Sequence, residues 1–294
     1  MVTATAPVTP PSTPFSAGER HESASLPISS PERLVYGRKH ITPDGVYSLV
    51  LNRPREHNAL SREMLLQMEE PVPASTALTP SPLRALIVES SSPGKFCAGA
   101  DLKERKTMTE EQVVAFLQLL RTVFDKVAAF PAPTIAALDG PTLGGGLELA
   151  IACDFRVANR TVKRIGFPES GLGIIPGAGG TQRAPRLLGL TKAKELIYTG
   201  RSLSATEALE WGLVDYLTDE SAPARSLLLA ATMSNSAPLA LRAAKLSISK
   251  GAEMELDDAL KWEVQCYEDL LPTQDRREAL EAFAEKRKPN FVGA

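Results

Sequence analysis

The segment Gly140-Pro-Thr-Leu-Gly-Gly-Gly-Leu-Glu-Leu-Ala150 decides how this chain is read. Upstream of it, Pro133-Thr-Ile-Ala-Ala-Leu138 is a run of strand formers, and downstream Leu147–Cys153 is apolar at a length that suits two helical turns. The pattern is strand, glycine turn, helix. Glycines before a helix have two uses, and the residues alone leave both open: tight packing, or close approach of backbone to a ligand. In the second reading the first helical N–H groups stay free and the helix dipole favours negative charge, which suits an oxyanion or a phosphate. No Gly-Lys-Ser/Thr follows, so this is not a phosphate-binding P-loop, and neither a Gly-x-Gly-x-x-Gly fingerprint nor a Gly-x-Ser-x-Gly elbow is present.

Eleven of the 20 glycines fall between Gly140 and Gly189. Two further glycine loops flank the first. Phe96-Cys-Ala-Gly-Ala-Asp101 follows a strand over 84–89, with Asp101 placed to cap a helix, and Gly171–Gly180 stands before a helix beginning near Thr181. Working outward, Val46–Leu51 reads as a strand and Ser61 caps a helix to about Glu70, stopped by Pro71 and Pro73. The stretch 71–82 holds four prolines and reads as a loop. Thr109-Glu-Glu-Gln112 is a capping box ahead of apolar residues at helical spacing from Val113 to Val127. Phe155–Ala158 is another strand, and from about 191 the pattern is mostly helical. Strands alternating with helices, followed by helices, predict an α/β core with helices packed outside. Six prolines among Ser and Thr in the first 31 residues predict a disordered tail over 1–35, leaving one folded domain over 36–294.

Composition narrows the chemistry. The chain has 294 residues, 33 Lys and Arg against 35 Asp and Glu, and only three histidines (His21, His40, His57) and three cysteines (Cys97, Cys153, Cys266). A near-neutral balance argues against a generally basic nucleic-acid surface. The scattered Cys and His fit neither a zinc site nor a disulfide framework, so no metal is expected and a reducing interior is. No apolar run is long enough to span a membrane. The tail has Arg20 but also Glu19 and Glu22, a poor match to an Arg-rich, acid-poor transit peptide. Carboxylates are then the natural acid/base groups, and two stand beside the glycine loops. Glu148 lies in the first turn of the apolar helix and Glu169 in Gly166-Phe-Pro-Glu-Ser-Gly171. Taken singly, each also reads as a dipole-stabilised or solvated carboxylate. Near amide donors, in apolar surroundings that push a carboxyl toward neutrality, they suit acid/base catalysis.

These stretches also carry a resemblance. With Leu51-Asn-Arg-Pro54, Asn58-Ala-Leu60, Phe96–Lys103, Leu143–Ala150, Phe167-Pro-Glu169, Gly173–Arg183 and Phe283–Pro289 in this order and spacing, the chain from about residue 40 resembles the enoyl-CoA hydratase/isomerase (crotonase) superfamily. Lys103-Glu-Arg105 and Ala193–Tyr198 make it most similar to the 3-methylglutaconyl-CoA hydratase-like branch. The resemblance implies a spiral of ββα units with a C-terminal helical trimerisation region, and a homotrimer or dimer of trimers. It implies an oxyanion hole from the amides of Ala100 and Gly145, water activation by Glu148, and proton exchange at C2 by Glu169. Ala98, Asp101, Leu102 and Lys103 fall where the family binds the CoA moiety, with Lys286 reaching the nucleotide phosphate. No cofactor is implied, because coenzyme A is part of the acyl-CoA thioester substrate. The implied reaction is reversible hydration of a short, branched or carboxylated enoyl-CoA, with enoyl-CoA isomerisation or an RNA-binding homologue as alternatives. Arg105 is the candidate partner for a substrate carboxylate. The resemblance suggests a mitochondrial protein; the tail composition leaves a cytoplasmic one as the alternative.

The chain departs from the pattern in two further places. Glu169 follows Glu148 by 21 residues where relatives have 20, which predicts an inserted residue in the loop Asn159–Arg164. Where some relatives bind AU-rich RNA through a Lys-rich helix, Ser61–Glu70 carries Arg62 against Glu63, Glu69 and Glu70, so its charge argues against nucleic-acid binding.

Overall fold

The computed structural model describes residues 25–27, 33–69 and 83–294. Seven strands form the large sheet: β1 (Ser25–Pro27), β2 (Val35–His40), β3 (Val46–Leu51), β4 (Ala85–Ser90), β5 (Thr134–Leu138), β7 (Phe155–Asn159) and β10 (Tyr216–Thr218), neighbours in that order. β1, β2 and β3 pair antiparallel; from β3 onward every pairing is parallel. The continuous apolar runs of β4 and β5 follow from this, since a parallel sheet is covered on both faces. Alternation sends Leu86 and Val88 into the main core, while Ala85 and Ile87 face the helix α8 (Ala222–Met233) through Ala222 and Ala230. The main core lies against α1 (Arg62–Met68), α3 (Glu110–Ala128) and α4 (Gly145–Ala152), through Met64, Leu65, Phe116, Leu120, Phe124 and Leu147.

Four times among the described residues the chain leaves the large sheet, touches a second layer of short extended pieces, and turns into a helix. β3 leads to Leu60 and α1, β4 to Cys97–Ala100 and α2 (Leu102–Arg105), β5 to β6 (Thr142–Leu143) and α4. β7 leads to β8 (Ile165–Gly166) and a 3-10 turn over Pro168–Leu172. The second-layer pieces bond to one another in sequence. Leu60 N donates to Gly99 O at 2.8 Å, Leu143 N to Cys97 O at 3.1 Å, and Gly144 N to Gly166 O at 3.0 Å. β9 (Ser202–Leu203) closes this layer against β8. Each pass delivers a helix start to the same layer, and the candidate site is assembled there.

The remaining helices are α5 (Gly180–Leu188), α6 (Leu190–Thr199), α7 (Ala205–Trp211), α9 (Pro238–Gly251), α10 (Leu256–Glu268) and α11 (Gln274–Glu285). The stretch from 191 is helical as the sequence predicts, with β9 and β10 as two short strands within it. They are too short to show a period. β2 was likewise not legible, because its Gly-Arg-Lys-His half carries no strand signal. Ser25–Pro27, inside the expected 1–35 tail, is paired to β2; the rest of that tail through residue 32, and the proline-rich loop at 71–82, lie outside the described residues. No described helix is long and apolar enough to cross a membrane.

Candidate active site

The glycines of the opening segment let three backbone pieces close on one another. Gly144 adopts φ +51°, and a Cβ there would fall 2.8 Å from Glu169 Oε1; at Gly146 it would fall 2.3 Å from Cys97 O. Only glycine permits both approaches. The first turn of α4 therefore abuts the Cys97–Ala100 loop, and a Cβ on Gly145 would lie 3.5 Å from Ala100 N. Neither the Ala100 nor the Gly145 amide donates to a protein acceptor among the described residues. Two neighbouring N–H groups, one at the start of the buried helix α4 and one in the loop against it, are thus free for an oxygen that carries negative charge.

Glu148, one turn into α4, is 3% exposed. Its Oε1 accepts from Ala178 N at 2.7 Å and Gly180 N at 2.8 Å, leaving Oε2 without a protein donor among the described residues. The third glycine loop, which the sequence suggested would cap a helix near Thr181, does open α5, and it also caps this side chain. Burial pushes the Glu148 carboxyl up; the two amides and the charges of Arg183 and Arg121 pull it back without cancelling the rise. Glu169, in the 3-10 turn, is 8% exposed, and its buried Oε2 has no protein partner. Burial raises its carboxyl to about 7, opposed by its own amide and reinforced by the charge of Glu148. The Asn159–Arg164 loop is a surface turn in which Arg160 pairs with Asp219. The extra spacing therefore leaves Glu169 seated beside Gly144.

Glu148, Glu169, Ala100 and Gly145 thus meet. Of the residues expected to bind CoA, Ala98, Leu102 and Lys103 form an exposed rim next to Ala100. Asp101 is buried and structural in its contacts: it caps α2 by accepting from Lys103 N and Glu104 N, and it pairs with Arg53 at 2.6 Å. Burial would raise its carboxyl, but these bonds hold it below its ordinary value. Lys286 stands apart, at the exposed C-cap of α11, with no polar side-chain contact to the loop or to α4 among the described residues.

Sequence reasoning missed several supporting residues. Asn58 accepts from Arg53 N and donates to Phe96 O at 2.7 Å, fixing the base of the loop that presents Ala100. Its signal was the motif Asn58-Ala-Leu60 itself, an Asn at φ +54° where its side chain can brace the backbone. The amides of Ala178 and Gly180 gave no signal, because a backbone donor is visible only once its acceptor is placed. Cys97 is buried, donates to Asn58 O, and has its thiol pushed up to about 12, so it packs rather than reacts.

Residues 42–294 match the family model described as enoyl-CoA hydratase/isomerase. The chain is 54% identical over 260 residues to the enoyl-CoA isomerase/hydratase fer4 of Mycosarcoma maydis, covering 85% of this chain and 93% of that protein. It is 43% identical over 254 residues to the mitochondrial methylglutaconyl-CoA hydratase of Homo sapiens, covering 85% and 74%. Among solved structures, the enoyl-CoA hydratase of Bacillus anthracis superposes with a TM-score of 0.84 at 42% identity, over 89% of this chain and all of that one. The glycine-built helix start, the two carboxylates beside it and these matches lead to one statement: this chain belongs to the enoyl-CoA hydratase/isomerase family.

Proposed function

We propose that this enzyme adds water reversibly across the 2,3 double bond of a short, branched or carboxylated enoyl-CoA, of the 3-methylglutaconyl-CoA/3-hydroxy-3-methylglutaryl-CoA type. Its family acts on acyl-CoA thioesters. The observation that carries the hydratase reading is the pair of buried glutamates, each with an oxygen free of protein donors, beside two free amides. The thioester oxygen accepts from Ala100 N and Gly145 N, which stabilise the enolate as charge moves onto it. Glu148 takes a proton from water as its oxygen bonds to C3. Glu169, poised near neutrality, gives a proton to C2 as the enolate collapses. The product gains one OH and one H, and the same groups run the dehydration. An isomerase needs one carboxylate to move a proton, so the second glutamate favours hydration.

The test is loss of the conjugated thioester absorbance on mixing purified protein with enoyl-CoA. Glu148→Gln and Glu169→Gln should each cost about 10²–10⁴ in turnover. If both variants turn over like the wild type, the mechanism is wrong. For the acyl group, Arg105 on α2 is half-buried and its guanidinium has no protein acceptor among the described residues, which fits a counter-charge for a terminal carboxylate. Arg105→Met should raise KM for 3-methylglutaconyl-CoA about 10-fold or more while leaving crotonyl-CoA unchanged, as loss of a charge-assisted bond requires.

α9 and α10 pack together and expose Leu246, Ile248, Leu256, Leu260, Val264 and Tyr267, supporting a homotrimer or dimer of trimers built on this face. Light scattering after gel filtration measures it. α1, with Arg62 against Glu63 and Glu69, offers no cationic face to RNA. The mitochondrial names of relatives favour that compartment.

A further inference from the structure

Behind the Glu148 carboxylate, between α3 and α5, lies a cleft of about 490 Å³ that the reaction does not use. One of its walls is the loop from Gly177 to Gly180. The amide edge of this loop faces Glu148 through Ala178 N and Gly180 N. Its carbonyl edge faces the cleft, where Arg121 Nε, from α3, donates to Gly177 O at 2.7 Å. Arg183, from α5, donates to Ala178 O at 3.2 Å while its other nitrogen pairs with Asp125. The carbonyl of Gly177 and the N–H of Ala178 are two ends of one peptide group. The Arg121 cation and the Glu148 carboxylate therefore bond to opposite ends of the same dipole.

We propose that Arg121 and Arg183 are positioning residues for Glu148, gripping the carbonyl edge of the Gly177–Gly180 backbone so that its amide edge holds the carboxylate aimed and ionised. The proposal rests on the acid/base role given to Glu148 above. A cation bonded to a carbonyl polarises that peptide and strengthens the bond its N–H donates, an effect amplified where water is excluded. Glu148 is buried enough to sit in that regime; the arginines keep one side in the cleft. The mechanical part is separate. Ile174 and Ile175, just before the loop, are exposed, while Ala178 is packed in the core and Gly177 lies against Leu117 of α3, so the two guanidinium bonds fix the orientation of peptides whose position packing already sets. Arg183 reaches Gly179 with one end of its guanidinium, where a Cβ would fall 2.2 Å from one of its nitrogens. Freed from both, the loop would aim its amides less well, and a buried carboxylate with weakened donors retains its proton more readily. The charges facing Glu148 are Glu169 from the 3-10 turn, Arg121 and Asp125 from α3, and Arg183 from α5. The two arginines act against burial at Glu148, while the Glu148 charge acts with burial at Glu169.

The experiment is the pH profile of kcat and kcat/KM for the full chain and for Arg121→Gln, Arg121→Lys, Arg183→Gln and Glu148→Gln, with thermal melts on each. Arg186→Gln is the control, since Arg186 lines the same cleft but among the described residues its side chain bonds only Gln182 O. Loss of either guanidinium should lower kcat about 10-fold with KM little changed, and should move the acidic limb up by about half a unit or more. Arg121→Lys, which keeps a cationic donor, should recover most of both effects, and Arg186→Gln should match the wild type. A dead Glu148→Gln beside wild-type profiles for both arginine variants overturns this inference alone. A fully active Glu148→Gln overturns the functional reading itself. If turnover falls with an unshifted limb and no recovery by lysine, the arginines are scaffold only and the inference fails.

Discussion

Two regions of this molecule bury glutamates, and only one has the makings of a catalyst. On the second layer, Glu148 and Glu169 sit beside free amides. On the large sheet, Glu89 of β4 lies next to Ser48 of β3, whose Oγ is 2.8 Å from His40 Nε2 of β2, with Arg38 3.5 Å away. Burial raises the carboxyl in both places: at Glu89 the Ser48 bond and the Arg38 charge only partly offset it. The difference is in the backbone. Glu89 and its neighbours belong to strands whose N–H groups are spent in the ladders joining β2, β3 and β4. Ala100 and Gly145 stand where chain leaves an extended piece and enters a helix, and their N–H groups are unspent. A perturbed carboxyl marks a candidate; unspent donors beside it make a site.

The largest effect that could break this contrast is on turnover. With Glu148→Gln and Glu169→Gln combined, activity should fall by about as much as the worse single variant, because residues acting as one unit do not add. Glu89→Gln should leave kcat within about twofold, as a change remote from the reacting atoms does. A comparable loss from Glu89→Gln, measured by the same absorbance assay, would erase the distinction. In the wild type the rate should also respond to the protonation of Glu169, changing through pH of about 7. That inflection should be gone in Glu169→Gln.

How far the contrast was legible in the sequence follows from the same physics. Glu148 and Glu169 stood out because glycines crowd around them, and glycine is needed where backbone meets backbone. Three helices declared themselves through caps that are local in sequence: Ser61, Asp101 and Thr109 all accept from their own first turns. The four-fold passage from large sheet to second layer to helix left no sequence repeat. Its second-layer pieces are one to four residues long and are held by bonds to pieces 22 or more residues away. His40, Ser48 and Glu89 went unnoticed for the same reason: three strands must be paired before they meet.

A second, smaller effect separates the two regions by stability. Glu169's folded carboxyl stands at about 7, above its ordinary value. A raised group contributes stability that is fully present below its unfolded value and is lost as pH rises through the folded one. The wild type should therefore lose stability relative to Glu169→Gln between about pH 4.5 and 7, by up to about 3 kcal/mol. At pH 8 the inactive variant should be the more stable protein, as expected where function holds a costly group in place. Urea melts at pH 5 and pH 8 measure this, and equal differences at both would refute it.

The smallest effect sharpens the comparison on the large-sheet side, where two buried groups titrate with opposite signs. Burial, helped by Arg38, lowers His40 to about 4, so its neutral ring contributes stability that is present above about 6.5 and lost as pH falls toward 4. Glu89, raised instead, contributes stability below its unfolded value that is lost as pH rises through the folded one. Ser48 links the two, so the pair should partly compensate across the acid range. Removing one should expose the other. His40→Gln, which keeps a hydrogen-bonding group toward Ser48, should abolish the loss of stability between pH 6.5 and 4, leaving a protein whose Glu89 makes it more stable toward acid. Glu89→Gln should do the reverse and steepen the acid loss. For His40→Gln the expected difference is about 1–2 kcal/mol after allowing for the part of His40 that solvent reaches. Denaturant melts of the two variants between pH 4 and 8 should diverge in opposite directions from the wild type. Parallel curves would mean that Ser48 does not couple them.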